Sequence, residues 1–302
     1  MKVVFFSESQ INGKIPRDFS NARTEYAWMM ALDAPHYNIN NIPSEKFDLG
    51  IVIIPKNNPN INLNSFRVCC DKVAVMQEGP HWFFQDYTVE QQFHYYNTLM
   101  DADWVYCHNE SDVNYYLGLG CKDVRVMRSL MIPDGLEKRN WLKSETMIGG
   151  NFVSWYGGFD SYMVAREMGD PISCPSMGRK QEQESLIEDI NYLPYMSWRD
   201  WIKTLGEYNI GIHLMRTHAA GTFAMNCGFH GIPCVGYRGL DTQELLHPLT
   251  TVDVGDLDEA KRVTLKLKDD KFYKLCSSTI SKRFNQYYTE DAWKENWRVT
   301  NK

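Results

Sequence analysis

The stretch GTFAMNCGFHGIPCV, Gly221 to Val235, decides how the chain is read. Just before it, YNIGIHLMRTHAA reads as a strand and a loop. Thr222 is placed to cap a helix, and Phe223, Cys227 and His230 fall on a helical repeat. Gly231 ends that helix and IPCVGY opens a new strand. A strand feeding a Gly-Thr turn at a helix N-terminus makes an anion site, because free backbone N–H groups and the helix dipole point at whatever sits there. In an α/β protein that anion is often a nucleotide phosphate. An ordinary strand–turn–helix–strand unit is the alternative reading of the same residues.

The 302 residues are enough for about two domains, and 43% hydrophobic content with nine tryptophans supplies real cores. The longest apolar run, FDLGIVIIP (Phe47 to Pro55), has the length of a strand and not the ~20 residues of a membrane span. MKVVFFSESQ reads as a strand running into polar residues, unlike a leader peptide. The eight cysteines form no CxxC pair and sit mostly in apolar runs. They read as reduced core thiols of a cytoplasmic protein. A net charge of −6 excludes a basic body that grips nucleic acid by charge alone. Lys14, Arg17 and Arg23 form a local basic strip after the first strand, read first as scattered solvated charge.

Strands and helices alternate along the chain, which argues for parallel sheets in an α/β fold. In the first half, Lys2 to Phe6, FDLGIVIIP, VAVMQEGP, DWVYCH and VRVMRSLMIP read as strands. TEYAWMMAL reads as a helix. TVEQQFHYYNTLMDA reads as a helix with Phe93, Tyr96 and Met100 on one side, and SDVNYYLGLG as a helix capped by Ser111. The polar EKRNWLKSETMIGG is taken as a linker. Domains are therefore expected at 1–140 and 147–284, with a terminal helix in 285–302. NFVSWYGG is read as the opening strand of the second half, EQESLIEDI as a helix, and Ser197 as the cap of WRDWIKTLGEY. Two such halves enclose a cleft with their strand C-terminal ends facing it.

Four segments resemble glycosyltransferases of the GT-B type: ADWVYCHNESDVNYYLGLGCKDVRVMRSLMIPDGL, NFVSWYGGFDSYMVAREMG, MSWRDWIKTLGEYNIGIHL and THAAGTFAMNCGFHGIPCVGYRGLDTQELL. Their order and spacing carry the likeness over about residues 102 to 250. The resemblance implies two Rossmann-like domains facing a central cleft and a C-terminal helix crossing back to the first. It implies sugar transfer from a nucleotide-sugar donor, a UDP-sugar foremost, with no cofactor and no metal. Asp101 and Asp103 of DADW sit where a helix meets a strand and read as caps rather than metal ligands. Retaining members often carry Glu-x7-Glu around the donor helix. Counted back from Gly231-Ile-Pro, those positions here are His218 and Asn226, and the stereochemistry stays open.

Sugar transfer requires a stabilised leaving diphosphate, an oriented acceptor hydroxyl and a held sugar. The donor-side candidates are the Gly221 and Thr222 backbone, with Arg216, Arg179 and Lys180 for phosphate. Gly157 and Gly158 would allow close approach of the donor. Asn226 is a candidate for a ribose hydroxyl and His218 for sugar or phosphate. On the acceptor side, QEGPHWFF offers Glu78 and His81 as general-base candidates. His108 reads as a satisfied strand-end histidine. Trp82 and Phe83, with Phe84 and Tyr87, form an aromatic cluster suited to stacking on sugars or nucleobases. The acceptor is then a glycan or a hydroxymethylated DNA base, the latter with Lys14 and Arg17 on DNA phosphate. A GT-B nucleotide-sugar epimerase and a non-catalytic sugar or nucleotide-binding module remain as alternatives.

Overall fold

The computed structural model describes the chain apart from residues 56–57, 78, 80, 139–143, 154, 176–183 and 185, and apart from the side chains of 81–83. Two parallel sheets of six strands each make its frame. The first holds β1 (Val3–Ser7), β2 (His36–Asn38), β3 (Phe47–Ile54), β4 (Cys70–Gln77), β5 (Trp104–Cys107) and β6 (Val124–Val126), in the order β2-β1-β3-β4-β5-β6. The second holds β7 (Thr146–Ile148), β8 (Ile172–Cys174), β9 (Ile190–Tyr192), β10 (Ile210–His213), β11 (Cys234–Tyr237) and β12 (Thr251–Val252). Its order, β12-β11-β10-β7-β8-β9, is that of a dinucleotide-binding sheet, with the strand order reversing between β7 and β10.

Central strands are apolar almost throughout because helices cover both faces. In β3 every residue except Asp48 is buried. All eight cysteines are buried and unbridged. One apolar core joins the halves: Trp28, Tyr106 and Met131 of the first pack with Met225 and Phe229 of the second and with Trp293 and Trp297 of the last helix, Glu290–Thr300. That helix crosses back to the first domain. Among the described residues no helix is long and apolar enough to cross a membrane.

Several local expectations are corrected. The second sheet opens on β7, which lies inside the stretch read as linker, and the described residues among 151–157 make bends and turns rather than a strand. The last strand of the first sheet stops at Val126, and the following residues run on to bridge Met131 with Arg23. The helix Val89–Asp101 buries Tyr95, Thr98 and Leu99 and exposes Phe93 and Tyr96, because Tyr95 stacks on Phe84 at 4.9 Å. Ser111 caps nothing; its hydroxyl donates to Gly239 O at 2.7 Å, and Asp112 stands at the cap. Ile190 to Tyr192 of the EQESLIEDI region is strand, while residues 182, 183 and 185 lie outside the described set. Ser197 caps its helix by accepting from Asp200 N. Asp101 and Asp103 are engaged by Arg67 and Lys72.

Candidate functional site

A cleft of about 880 Å³ opens where the strand C-terminal ends of the two sheets face each other. Gly149 after β7 and His213 closing β10 line it, which places it at the reversal of strand order. Ile53 of β3, Met76 of β4 and His108 after β5 line it from the first domain.

The second-domain wall is built on the helix Thr222–His230. Its cap is Gly221 at φ +63°, one residue before the position expected from sequence. A Cβ there would collide with Thr242 Oγ1, so both the backbone angle and the space call for glycine. Gly221, Thr222 and Asn226 all line the cleft, the last two a turn apart on one helix face. The first-turn N–H groups of such a helix have no intrahelical acceptor. The preceding carbonyls are held from the other domain: Asn109 Nδ2 donates to Ala219 O at 3.1 Å, and Ser129 Oγ donates to Ala220 O.

Several buried polar atoms at the cleft have no hydrogen-bond partner among the described residues. They include Asn226 Oδ1, His213 Nε2, His108 Nδ1 and Asn21 Oδ1. Asn226 is 1% exposed and His213 8%. Leaving such a group unpaired costs roughly 1–3 kcal/mol, so each is a place where a polar group entering the cleft would be met by a hydrogen-bonding atom.

Burial pushes the imidazoles of His108, His213 and His247 down to about 4. The first two therefore face the cleft neutral at pH 7, each with a ring nitrogen to offer. Between the ordinary value near 6.5 and the folded one, the unfolded chain holds protons that the folded chain lacks. Stability is thus full above about pH 6.5 and falls as pH drops toward 4, by up to about 1.4 kcal/mol per unit for each of these histidines. Denaturant unfolding at pH 7.5 and pH 5 should differ by several kcal/mol. Equal stability at the two pH values contradicts the burial argument.

The sequence matches no protein-family model and no curated protein. Solved structures do match. HepE from Anabaena in complex with UDP superposes with a TM-score of 0.66 at 10% identity, covering 100% of this chain and 99% of that one. An alpha-glucosyltransferase in complex with UDP and a 13-mer DNA containing an HMU base gives 0.64 at 11% identity, with 99% of each chain covered. TarM from S. aureus, in complex with fondaparinux, alpha-GlcNAc-glycerol and UDP, gives 0.64 at 9% identity. There the match covers 86% of this chain but only 56% of TarM, so the chain spans about half of that protein's length. The fold is GT-B.

In this GT-B frame the remaining sequence-nominated residues are spread out. Gly157 and Gly158 are filled over by protein: a Cβ on the first would meet Leu214 O and on the second Asn151 O. Arg216 pairs with Asp160 at 3.0 Å and is not among the residues lining the cleft. His218 Nδ1 lies 2.9 Å from Asp112 Oδ1, at the joint between the domains. Lys14 pairs with Asp33, and Arg17 with Asp134 and Glu290. Phe84 packs in the first-domain core. Arg179, Lys180, Glu78 and the side chains of His81, Trp82 and Phe83 lie outside the described residues.

His213 was not nominated from the sequence, and His108, read as a satisfied strand-end histidine, keeps an Nδ1 with no partner among the described residues. His213 hides in the apolar run of β10, its ring edge-on to Phe223 at 5.2 Å and seated over Gly149, where a Cβ would collide with it. The His108 ring packs tilted against Trp28 at 5.5 Å. A histidine at or just after the end of a strand that points to a cleft was the available signal for both.

Proposed function

We propose that the cleft binds a nucleoside-diphosphate sugar and passes its sugar to an acceptor hydroxyl. The observation that carries this is the unpartnered, buried Asn226 Oδ1 one turn behind the open N-terminus of the Thr222–His230 helix. The Gly221 and Thr222 amides would take phosphate, and Asn226 would take a ribose or sugar hydroxyl. The C1–O bond to the diphosphate breaks with its electron pair going to the phosphate oxygen. The acceptor oxygen bonds C1 and its proton passes to a base. UDP in all three structural neighbours supports a UDP-sugar. A helix N-terminus with arginine can neutralise the leaving group without a metal ion.

On the acceptor side Glu78 and His81 remain the candidate bases; Gly79, which lies between them, lines the cleft. Trp82 and Phe83 are proposed to stack on the acceptor. We favour a glycan, because Lys14 and Arg17 are already neutralised by carboxylates and so lack free charge for a nucleic-acid backbone.

A thermal-shift panel with UDP, GDP, ADP, dTDP and CMP tests the reading. Ligand at about 100-fold over Kd adds roughly 2.7 kcal/mol, a shift of several degrees. Asn226→Leu should leave the ligand-free melting temperature unchanged or higher, since it removes an unpaired buried acceptor, and should weaken nucleotide binding about tenfold or more. No shift with any nucleotide overturns the proposal. With the donor sugar supplied, an epimer formed without acceptor would mark an epimerase, and absence of any turnover a binding module.

A further inference from the structure

Arg23 is the one cation among the described residues that line the cleft. It is half-buried, and no carboxylate pairs with it among the described residues. The neighbouring and nominated cations differ: Lys14, Arg17 and Arg216 each face a carboxylate, and Arg128 is held by Asp241 at 2.9 Å. An unpaired guanidinium drawn partly out of water is unfavourable unless an anion meets it.

The backbone holds Arg23 in place from both sides. Ile132 N donates to Ala22 O at 2.9 Å, Thr24 N donates to Leu130 O at 2.9 Å, and Arg23 itself bridges Met131. Thr24 sits at φ +48°, a left-handed conformation that a β-branched residue adopts only when its surroundings impose it. The stapled, strained corner fixes Arg23 and the start of the helix Thr24–Ala31 at the cleft that Gly221 and Thr222 also line.

We infer that Arg23 is a first-domain clamp on the donor's diphosphate. The inference rests on the nucleotide-sugar reading above and adds a residue to it. A donor seated on the Gly221–Thr222 amides of the second domain would be gripped across the cleft by Arg23 of the first. The guanidinium fork suits two phosphate oxygens at once. As the C1–O bond breaks, the charge arriving on the phosphate oxygen is met by Arg23, while the acceptor oxygen closes the new bond to C1.

Calorimetric titration of the full chain with UDP and with uridine, on wild type, Arg23→Gln and Arg23→Lys, tests this. Arg23→Gln should lose about 30-fold or more in UDP affinity and keep its uridine affinity, and Arg23→Lys should recover part of the loss. The change should also flatten the salt dependence of UDP binding. Unchanged UDP affinity in Arg23→Gln, or equal loss of UDP and uridine, overturns the clamp while leaving the nucleotide site standing. A wild-type chain that binds neither overturns the nucleotide reading itself, and the clamp with it.

Discussion

Gly157→Ala should leave the second domain unable to hold its native structure at 37 °C. Gly157 lies at φ +64°, which costs a residue with a Cβ about 1 kcal/mol or more. The larger effect is steric. The new methyl would fall on the carbonyl of Leu214, a backbone atom fixed at the exit of β10. That exit is already tied to the glycine turn, since Ser161 Oγ donates to Gly157 O at 2.8 Å and accepts from Leu214 N at 2.9 Å. No side-chain rotation relieves such a clash, so the strand exit and the loop toward Gly221 must move. We expect a loss above about 4 kcal/mol, a large share of a typical total near 5–15 kcal/mol. Gly169→Ala is the internal control. It also has positive φ, at +70°, but open space where the Cβ would lie, so it should cost only about 1 kcal/mol. Thermal and denaturant unfolding of both variants decides the matter. Equal losses would mean that backbone angle alone, and not close approach, requires glycine at 157.

That glycine also shows what a sequence conceals. Gly-Gly before an apolar helix signals a turn, and the turn is there. Whether the space above it belongs to a ligand or to the protein depends on β10, more than fifty residues away. The helix Thr222–His230 was legible because its signals are local: a strand, a glycine, nine helical residues, then Gly231 and a proline. Strand β7 was hidden because three residues, Thr-Met-Ile, carry no periodicity and sit in polar surroundings. In Val89–Asp101 apolar residues occupy more than one face, and the neighbour Phe84 decides which one is buried. Arg23 resembled the solvated charges beside it. Its pairing state follows from which carboxylates the fold brings near, and from backbone staples to residues 130–132. The candidate site was thus legible where backbone chemistry makes it and illegible where long-range contacts do.

Removing residues 290–302 should separate the two domains' stabilities and lower the melting temperature by many degrees. The chain reaches Tyr287 on the second domain, where Phe284 packs on Phe229 at 6.0 Å and Arg283 donates to Leu245 O at 3.0 Å. After Thr289 it passes to the first domain. Trp293 and Trp297 stack on each other at 5.6 Å, and Trp297 stacks on Tyr106 of β5 at 5.6 Å. Trp293 Nε1 donates to Arg128 O at 2.8 Å, the same carbonyl that accepts from Trp28 Nε1. Losing either buried tryptophan is worth about 3–5 kcal/mol. The ion pair of Glu290 with Arg17 adds little by comparison, since Arg17 is about half exposed and such pairs contribute about 1 kcal/mol or less. Glu290→Gln should therefore melt close to the full chain, whereas Trp297→Ala should by itself reproduce a large part of the truncation's loss of stability. The consequence reaches the cleft through residues 128–129: Arg128 carries the Trp293 contact and grips Asp241, and Ser129 beside it holds Ala220 O just before the helix Thr222–His230. Loosening the terminal helix should accordingly weaken nucleotide binding as well as stability. A truncated chain that melts and binds UDP like the full one would show that the helix is an appendage, and that the direct contacts between the domains, the Asn109–Asp241 hydrogen bond among them, suffice to hold them together.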